Sequence, residues 1–398
     1  MIQLPAQSAS IPIAPLWPAL IAMTGVQALV ALALFAPGVL APQLTMSVAD
    51  VGLFTTAVFA VGMATSLYGG KFARQFGPCK VAAFCALAVA LGMTLATRGD
   101  GAALVIAGLC IGLAFGPETP ASSTLLSKLA TPAQRPLIFS IRQTGNQIGA
   151  MLGSLTLPLI ALSAPIAGYW LIAGLGILAA IVLRLMSRRY DVLAKGEGKS
   201  LDLRGAVTIV WQNPRLRALA FLSLPFSAMQ LGLNAFLVTF AVEQLALSPI
   251  SAGVLLATAQ AGGLIGRLFW GLVATKSLSS RTVLAGLGFS MSAAALAMVF
   301  GGPLMPPGAL GITAFLFGLT ASGWNGVFLA EIARLAPPDR VAEVTGAVLT
   351  ASYAGLLMGP AIITTAAIVG TLSLSYVILA ALACAGTLQL LRADHDQT

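Results

Sequence analysis

Twelve long apolar runs follow one another along this 398-residue chain and leave little sequence between them. Charged residues make up only 8% of the chain, whereas they make up about a quarter of an ordinary soluble domain. About 20 apolar helical residues cross the hydrocarbon core of a bilayer, so each run has roughly the length of a membrane span. The runs cover approximately 15–39, 51–69, 81–97, 102–127, 137–162, 165–187, 218–242, 251–274, 282–302, 308–333, 342–368 and 371–391. The sequence therefore predicts an all-α membrane protein with twelve transmembrane helices.

The distribution of Lys and Arg predicts the orientation of these helices. With twelve spans, both termini and the even-numbered loops share one side of the membrane. Eighteen Lys and Arg residues fall on that side and one, Arg98, on the other, while Arg142 and Arg267 fall inside spans. By the positive-inside rule, we expect a multi-pass protein of the cell inner membrane with both termini in the cytoplasm. This asymmetry accounts for the net charge of +9, and nucleic acid is not needed to explain it.

The longest hydrophilic segment, residues 188–216, divides the chain into two groups of six spans. We expect an N-terminal bundle over 1–187, a cytoplasmic linker over 188–216 and a C-terminal bundle over 217–398. Within the linker, GEGKS (196–200) resembles the end of a phosphate loop, but Leu193 stands where that motif requires glycine. LYGGKFARQFGPCK (67–80) and LFWGLVATKSLSSR (268–281) match in part at an offset of 201 residues. Such repeats predict two bundles related by a pseudo-two-fold axis along the membrane normal.

The first of these loops resembles a family signature. GGKFARQFGPCK is similar to G-x-L-A-D-R-x-G-R-K of the major facilitator superfamily, with Gly70, Ala73 and Gly77 matching and Arg74 at the acidic position. The resemblance implies a secondary transporter whose spans one, four, seven and ten line a central cavity. It also implies a gating role for Gly70, Arg74, Gly77 and, in the second copy, Gly271. Residues 117–153 further resemble a bacterial branch of cyanate, nitrate and small-carboxylate permeases.

Polar residues inside the spans are the candidates for substrate binding, because each needs a partner or a water-filled cavity. In SIRQTGNQIGAMLG (140–153), Arg142 and Asn146 share one helix face with two glycines, while Gln143 and Gln147 point elsewhere. Gly145, Gly149 and Gly153 lie four residues apart and would let another helix approach closely. Arg142 either extends to the cytoplasmic surface or forms a structural ion pair, or it binds substrate or acts in gating.

Glu118 is the second deep charge, between Pro117 and Pro120, which remove backbone donors and free carbonyls. It lies about 15 Å from the cytoplasmic end of its span and within about one helical turn of the depth of Arg142. A Glu118–Arg142 pair is therefore predicted. It is either a buried structural pair, or Glu118 carries a proton whose uptake releases Arg142 to bind an anion.

The remaining candidates for substrate binding inside the spans are uncharged amides and aromatic residues. Each either hydrogen-bonds a neighbouring helix or contacts substrate. Arg267 and Glu331 are interpreted as gate or interface charges near cytoplasmic ends. The further candidates for substrate binding are Gln27, Gln230, Asn234, Gln260, Trp324, Asn325 and Tyr353.

These residues favour a transporter over an enzyme. The single histidine, His395, lies in the C-terminal tail, and the four cysteines are scattered, so no metal or cofactor is expected. We expect a monomer that carries a small organic or inorganic anion by alternating access, coupled to protons. The alternative is proton-driven efflux of lipophilic compounds, which the glycines of span five would suit. A membrane sensor or assembly partner is the third possibility.

Overall fold

The computed structural model describes residues 15–131, 135–194, 203–276, 278–337 and 341–392, and every regular element in these ranges is a helix. The GEGKS segment and His395 lie outside the described residues. The N-terminal half contains α1 (Leu16–Leu40), α2 (Val48–Phe76), α3 (Pro78–Ala96), α4 (Gly101–Leu129), α5 (Arg135–Gln143), α6 (Gly145–Ala161) and α7 (Ala167–Ala194). We call the side of the bundle near residues 15 and 392 the terminal side, and the opposite side the far side.

The helices of the C-terminal half also run back and forth between the terminal side and the far side. It contains α8 (Leu203–Gln212), α9 (Pro214–Leu231), α10 (Leu237–Leu245), α11 (Pro249–Lys276), α12 (Ser280–Leu296), α13 (Pro307–Ala321), α14 (Trp324–Leu335), α15 (Val341–Val369) and α16 (Leu372–Arg392). A π-helical turn, Gly232–Phe236, joins α9 to α10, and a second one, Ala297–Gly301, follows α12. A short 3₁₀ turn, Gly302–Leu304, ends that span.

Eleven helical stretches of the described residues are long and apolar enough to cross a bilayer. The predicted fifth span, 137–162, is not a single helix, because a turn at Thr144 divides it into α5 and α6. The two pieces have 9 and 17 residues, fewer than the roughly 20 that usually cross a bilayer, and together they form the twelfth crossing. The prediction of an all-α membrane fold with twelve spans is thus confirmed, with one span interrupted.

The two halves repeat the same helix pairing. In the first half α1 packs on α6, α2 on α4 and α3 on α7; in the second α9 packs on α15, α11 on α13 and α12 on α16. Between the halves, α2 packs on α15 and α6 on α11. Each pair has its counterpart, as a pseudo-two-fold axis requires. Helix α7 continues to Ala194 and α8 occupies Leu203–Gln212, so the segment 188–216 is partly helical, and the division of the chain there stays a prediction.

Helix α4 runs without interruption through Pro117 and Pro120. Hydroxyl groups one turn further along donate to backbone carbonyls of this region. Ser122 Oγ donates to the carbonyls of Glu118 and Thr119 at 3.0 Å, and Thr124 Oγ1 to that of Pro120 at 2.8 Å. The prolines therefore leave Glu118 on a regular helix that fixes its depth in the bundle.

Glycines bring the two halves into contact on the far side. A Cβ atom on Gly38 would overlap the carbonyl oxygen of Ala235, and one on Gly253 would overlap that of Ser154. A Cβ on Gly52 would overlap Thr364 Oγ1. Gly52 and Gly253 lie 201 residues apart, the offset of the sequence repeat. The far side is therefore closed by two symmetry-related helix contacts, α2 with α15 and α6 with α11.

Replacing Gly253 by valine tests this closure. We expect Gly253→Val to separate α6 from α11, since the added atoms have no room beside Ser154. Spin labels on the far-side loops at Arg98 and Leu304 should then show a longer distance. Gly286→Val is the matched control, because Gly286 is exposed on α12 with no atom near its Cβ position. Equal label distances in the two variants would contradict the interpretation.

Candidate functional site

A buried ion pair joins α4 to α5. Nη2 of Arg142 lies 2.5 Å from both carboxylate oxygens of Glu118, and the two side chains are 1% and 5% exposed. Thr119 completes the cluster, because its hydroxyl accepts from Arg142 Nη2 at 3.0 Å and donates to Glu118 Oε2 at 3.1 Å. The predicted Glu118–Arg142 contact is confirmed, whereas its role stays a hypothesis.

The ion pair lies where the N-terminal half meets α15. Tyr353 of α15 is near Ser66 of α2 and within electrostatic range of Arg142 and Glu118. Arg142 Nε is buried and has no hydrogen-bond partner among the described residues. A group brought by the opposite half, or by a ligand, would therefore find a donor of Arg142 still available.

A second polar cluster near Arg142 contains three glutamines, Gln27, Gln143 and Gln147, together with Arg267. Gln27 Nε2 of α1 donates to Gln143 Oε1 at 3.0 Å. Gln143 also offers its backbone carbonyl to Arg267 Nη1 of α11, at 3.4 Å. With its carboxamide oxygen toward Arg267, Gln147 accepts from Nη2 at 2.9 Å and from Nε at 3.2 Å. The break at Thr144 thus separates residues that contact three different helices. Asn146, on α6, is half-buried.

Arg267 connects the two halves at membrane depth. It lies nine residues before the end of α11 at Lys276, about 14 Å along the helix. The side chain is half-buried and reaches α5 and α6. Glu331, which sequence interpretation grouped with it, lies four residues before the end of α14 and pairs with Arg334 at 2.6 Å. The two charges therefore occupy different environments.

The C-terminal half contains four of the predicted amide side chains, which form two hydrogen-bonded pairs. Gln260 Nε2 donates to Asn234 Oδ1 at 2.7 Å, and both side chains are buried. Asn234 sits in the π-helical turn after α9, an irregularity that recurs at functional sites. Asn325 Nδ2 donates to Gln230 Oε1 at 3.3 Å. These four candidates form two hydrogen-bonded pairs, one between α11 and the π-helical turn and one between α14 and α9.

Trp324 packs inside the C-terminal half. Its ring makes edge contacts with Phe226 and Phe328, at centroid distances of 5.6 and 5.1 Å. It is 1% exposed, and its indole N–H has no hydrogen-bond partner among the described residues. Buried indole nitrogens usually find a partner, so this donor is available to a polar group that enters the bundle.

Three residues near these clusters were not predicted from the sequence: Thr119, Ser66 and Asp191. Thr119 follows Glu118 directly, so its place beside the carboxylate was readable from the sequence. Ser66 reaches Tyr353 only through the packing of α2 on α15, which no local pattern indicates. Asp191 was assigned to the linker, yet it is 2% exposed at the end of α7.

Asp191 holds the loop that carries the signature residues. Its carboxylate accepts from the backbone N–H of Cys79 at 2.7 Å and of Lys80 at 3.3 Å, at the start of α3. Gly77 precedes that helix with φ of 101°, and a Cβ there would overlap Asp191. The negative charge suits the N-terminus of α3, whose first N–H groups lack helical partners. A carboxylate from α7 thus anchors a loop that lacks the acidic residue of the signature.

The other residues of the two signature loops, Gly70, Arg74 and Gly271, are packed less closely than Gly77. Arg74 is half-buried and lies over Gly70, with Nη1 3.5 Å from where a Cβ of Gly70 would be. Gly271, the counterpart in the second half, has open space at its Cβ position. The gating role of these three residues stays a prediction.

Comparison with known proteins agrees with this architecture. The model of the Major Facilitator Superfamily matches residues 16–360. This chain belongs to the major facilitator superfamily. Among curated proteins, none matches the sequence. Members of this family are transporters, so the family points to the movement of solutes across a membrane.

Solved transporters share the fold at low sequence identity. The nucleoside transporter NupG superposes with a TM-score of 0.77 at 14% identity, covering 95% of this chain and 99% of its own. The peptide transporter POT in complex with sulfate gives 0.74 at 15%, covering 98% and 97%. A bacterial homolog of the human lysosomal transporter Spinster, inward-facing and occupied, gives 0.67 at 15%, covering 95% of both chains. These likenesses establish the fold.

A double-mutant cycle tests the strength of the buried pair. Arg142→Met or Glu118→Gln alone leaves one buried charge without its partner, which costs about 3–5 kcal/mol. The double variant should cost clearly less than the sum. Thermal unfolding in detergent provides the measurement, with Arg98→Met as control, because the exposed Arg98–Asp100 pair is worth at most about 1 kcal/mol. Additive effects would show that the two side chains are independent.

A pair of glycine substitutions tests the anchored loop. Gly77→Ala should destabilise the protein, since its backbone conformation costs other residues about 1–3 kcal/mol and the new methyl group meets Asp191. Gly70→Ala places its methyl group at ordinary distance from Arg74 and should leave the melting temperature nearly unchanged. Equal melting temperatures for the two variants would exclude the proposed constraint at Gly77.

Proposed function

We propose that this transporter carries a small organic or inorganic anion by alternating access, coupled to protons, in the cell inner membrane with both termini in the cytoplasm. The observation that carries the proposal is the buried Arg142–Glu118 pair beside Tyr353 at the meeting of the two halves. A guanidinium group presents planar donors that match carboxylates and other oxyanions. The resemblance of residues 117–153 to permeases for cyanate, nitrate and small carboxylates points the same way, although no comparison supports that branch.

Glu118 is the proposed proton carrier. When its carboxylate takes up a proton, the negative charge that holds Arg142 disappears, and the guanidinium group becomes available to an anion. Loss of the proton restores the Glu118–Arg142 pair and displaces the anion. Thr119 supports both states, because its hydroxyl can donate to the carboxylate or accept from Arg142.

Polar contacts between the halves would couple this exchange to the movement of the bundles. Arg267 reaches Gln143 and Gln147, and Tyr353 lies near Ser66. Asn146, Gln27 and the amides Gln230, Asn234, Gln260 and Asn325, with Trp324, are proposed to line the substrate path. Gly70, Arg74, Gly77 and Gly271 are proposed to act in the loops that open and close on the terminal side.

Efflux of lipophilic compounds is the second candidate function. The sequence feature that favoured efflux is the set of glycines spaced four residues apart in the fifth span, Gly145, Gly149 and Gly153. In the structure Gly145 and Gly149 bring α6 against backbone carbonyls of Thr24 and Ala28 on α1. This packing accounts for both glycines within one half, so these glycines no longer favour efflux over anion transport.

Glu118→Gln tests the proton-coupling role. In proteoliposomes, the variant should lose anion uptake driven by a pH gradient and keep anion exchange, because glutamine cannot bind and release a proton. Arg142→Ala should abolish both. Glu243→Gln is the control, since Glu243 is exposed near the far-side end of α10. Unchanged driven uptake in Glu118→Gln would reject the proton role, and flux of lipophilic cations without anion flux would favour efflux.

A further inference from the structure

The charges inside the membrane do not balance. The middle of the spans contains two guanidinium groups, Arg142 and Arg267, and one carboxylate, Glu118. Glu331 lies nearer the terminal side and pairs with Arg334, and Glu243 is exposed near the far side. A cation at membrane depth is costly unless it is paired or reaches water. Among the residues that the structure describes, one of the two arginines therefore lacks a counter-charge.

Arg142 is the arginine whose charge is compensated. Nη2 contacts both oxygens of Glu118 at 2.5 Å, and the pair is almost fully buried. In this conformation the Glu118 carboxylate occupies Nη2 of Arg142, so an anion would have to compete with it for that group, and only Nε is without a partner among the described residues. Competition of this kind makes Arg142 a poor first ligand for a weakly held substrate.

Arg267 is surrounded by neutral acceptors. Its partners in the described residues are the backbone carbonyl of Gln143 and the carboxamide of Gln147. The carbonyl contact, at 3.4 Å, is at the long limit of a hydrogen bond. An oxyanion would replace these neutral acceptors with negatively charged ones, which form shorter and stronger bonds to the same fork of donors. The side chain is half-buried, whereas that of Arg142 is 1% exposed.

We propose that Arg267 is the primary anion ligand in this conformation, with Gln143 and Gln147 competing for its donors. The inference rests on the proposed anion transport and assigns the charge recognition to a residue of the C-terminal half. The ligand class is a small oxyanion, such as a carboxylate or nitrate, that accepts two parallel N–H donors.

The position of Arg267 links binding to the contact between the halves. Its bonds to Gln143 and Gln147 tie α11 to α5 and α6, on either side of the break at Thr144. An anion that takes the guanidinium donors removes these bonds and replaces them with its own. Occupancy of Arg267 therefore exchanges a protein–protein contact between the halves for a ligand contact.

Anion-dependent thermal stabilisation of the purified full-length protein tests the assignment. Sodium acetate, nitrate and succinate are the probes, and acetamide is the neutral control of the same shape as acetate. Wild type should be stabilised by an anion but not by acetamide. Arg267→Gln should weaken the apparent anion affinity about tenfold or more, the equivalent of one lost charge-assisted hydrogen bond. Arg184→Gln is the matched control, since Arg184 is exposed on α7, and its response should equal that of wild type.

Two further variants distinguish a direct loss of anion binding from a loss of folding in Arg267→Gln. Arg267→Lys keeps the charge without the fork and should retain weakened binding of acetate. Gln147→Met removes a competing acceptor of similar volume, so it should tighten acetate binding several-fold if Arg267 is the ligand. Unchanged affinity in both Arg267→Gln and Gln147→Met would overturn the assignment.

The results of these binding experiments distinguish a failure of the Arg267 assignment from a failure of the proposed anion transport. If Arg142→Gln abolishes anion binding while Arg267→Gln leaves it unchanged, anion transport stands and the assignment to Arg267 is wrong. If the wild type neither responds to these anions nor carries them in proteoliposomes, the proposed function fails and the inference fails with it. Loss in Arg267→Gln with tightening in Gln147→Met supports the assignment.

Discussion

The cost of an unpaired charge inside a bilayer governs the centre of this protein. Hydrocarbon offers neither water nor counter-ions, so the guanidinium group of Arg142 must find its partner within the bundle. Glu118 provides it from α4, and Thr119 bridges the two. That contact ties α4 to α5 at one depth, and the helix is interrupted at Thr144, two residues after Arg142. Next to it, Gln143 contacts α1 and Gln147 contacts α11.

The sequence allowed the spans and the ion pair to be predicted, because both depend on distances along a helix. Counting residues from each span end placed Glu118 and Arg142 at similar depth, and the structure brings them together. The partners of Arg267 could not be predicted in this way, because they depend on how α11 meets α6 across the two halves. The role of Asp191 was hidden for a similar reason, since it contacts residues more than a hundred positions away.

The pseudo-symmetry of the fold does not extend to the chemistry of its terminal side. In the first half, the end of α7 supplies Asp191, whose carboxylate accepts from N–H groups at the start of α3. In the second half the polarity is reversed: Arg281 at the start of α12 donates to the carbonyls of Leu390 and Leu391 at the end of α16. The start of a helix leaves N–H groups unsatisfied and its end leaves carbonyls unsatisfied. A carboxylate can therefore join α7 to the start of α3, and a guanidinium group can join α12 to the end of α16.

Under the proposed function, the charge balance of the interior favours moving a proton and an anion together. With Glu118 ionised, Arg142 and Arg267 leave one net positive charge among the deep residues. Protonation of Glu118 alone raises this to two, and an anion alone lowers it to zero. A singly charged anion together with a proton returns the interior to its starting charge. The doubly loaded state therefore avoids the extra unpaired cation that protonation alone would leave in a medium where such charges are expensive. By the same count, the anion binds before the proton, because an anion alone leaves no net charge among the deep residues.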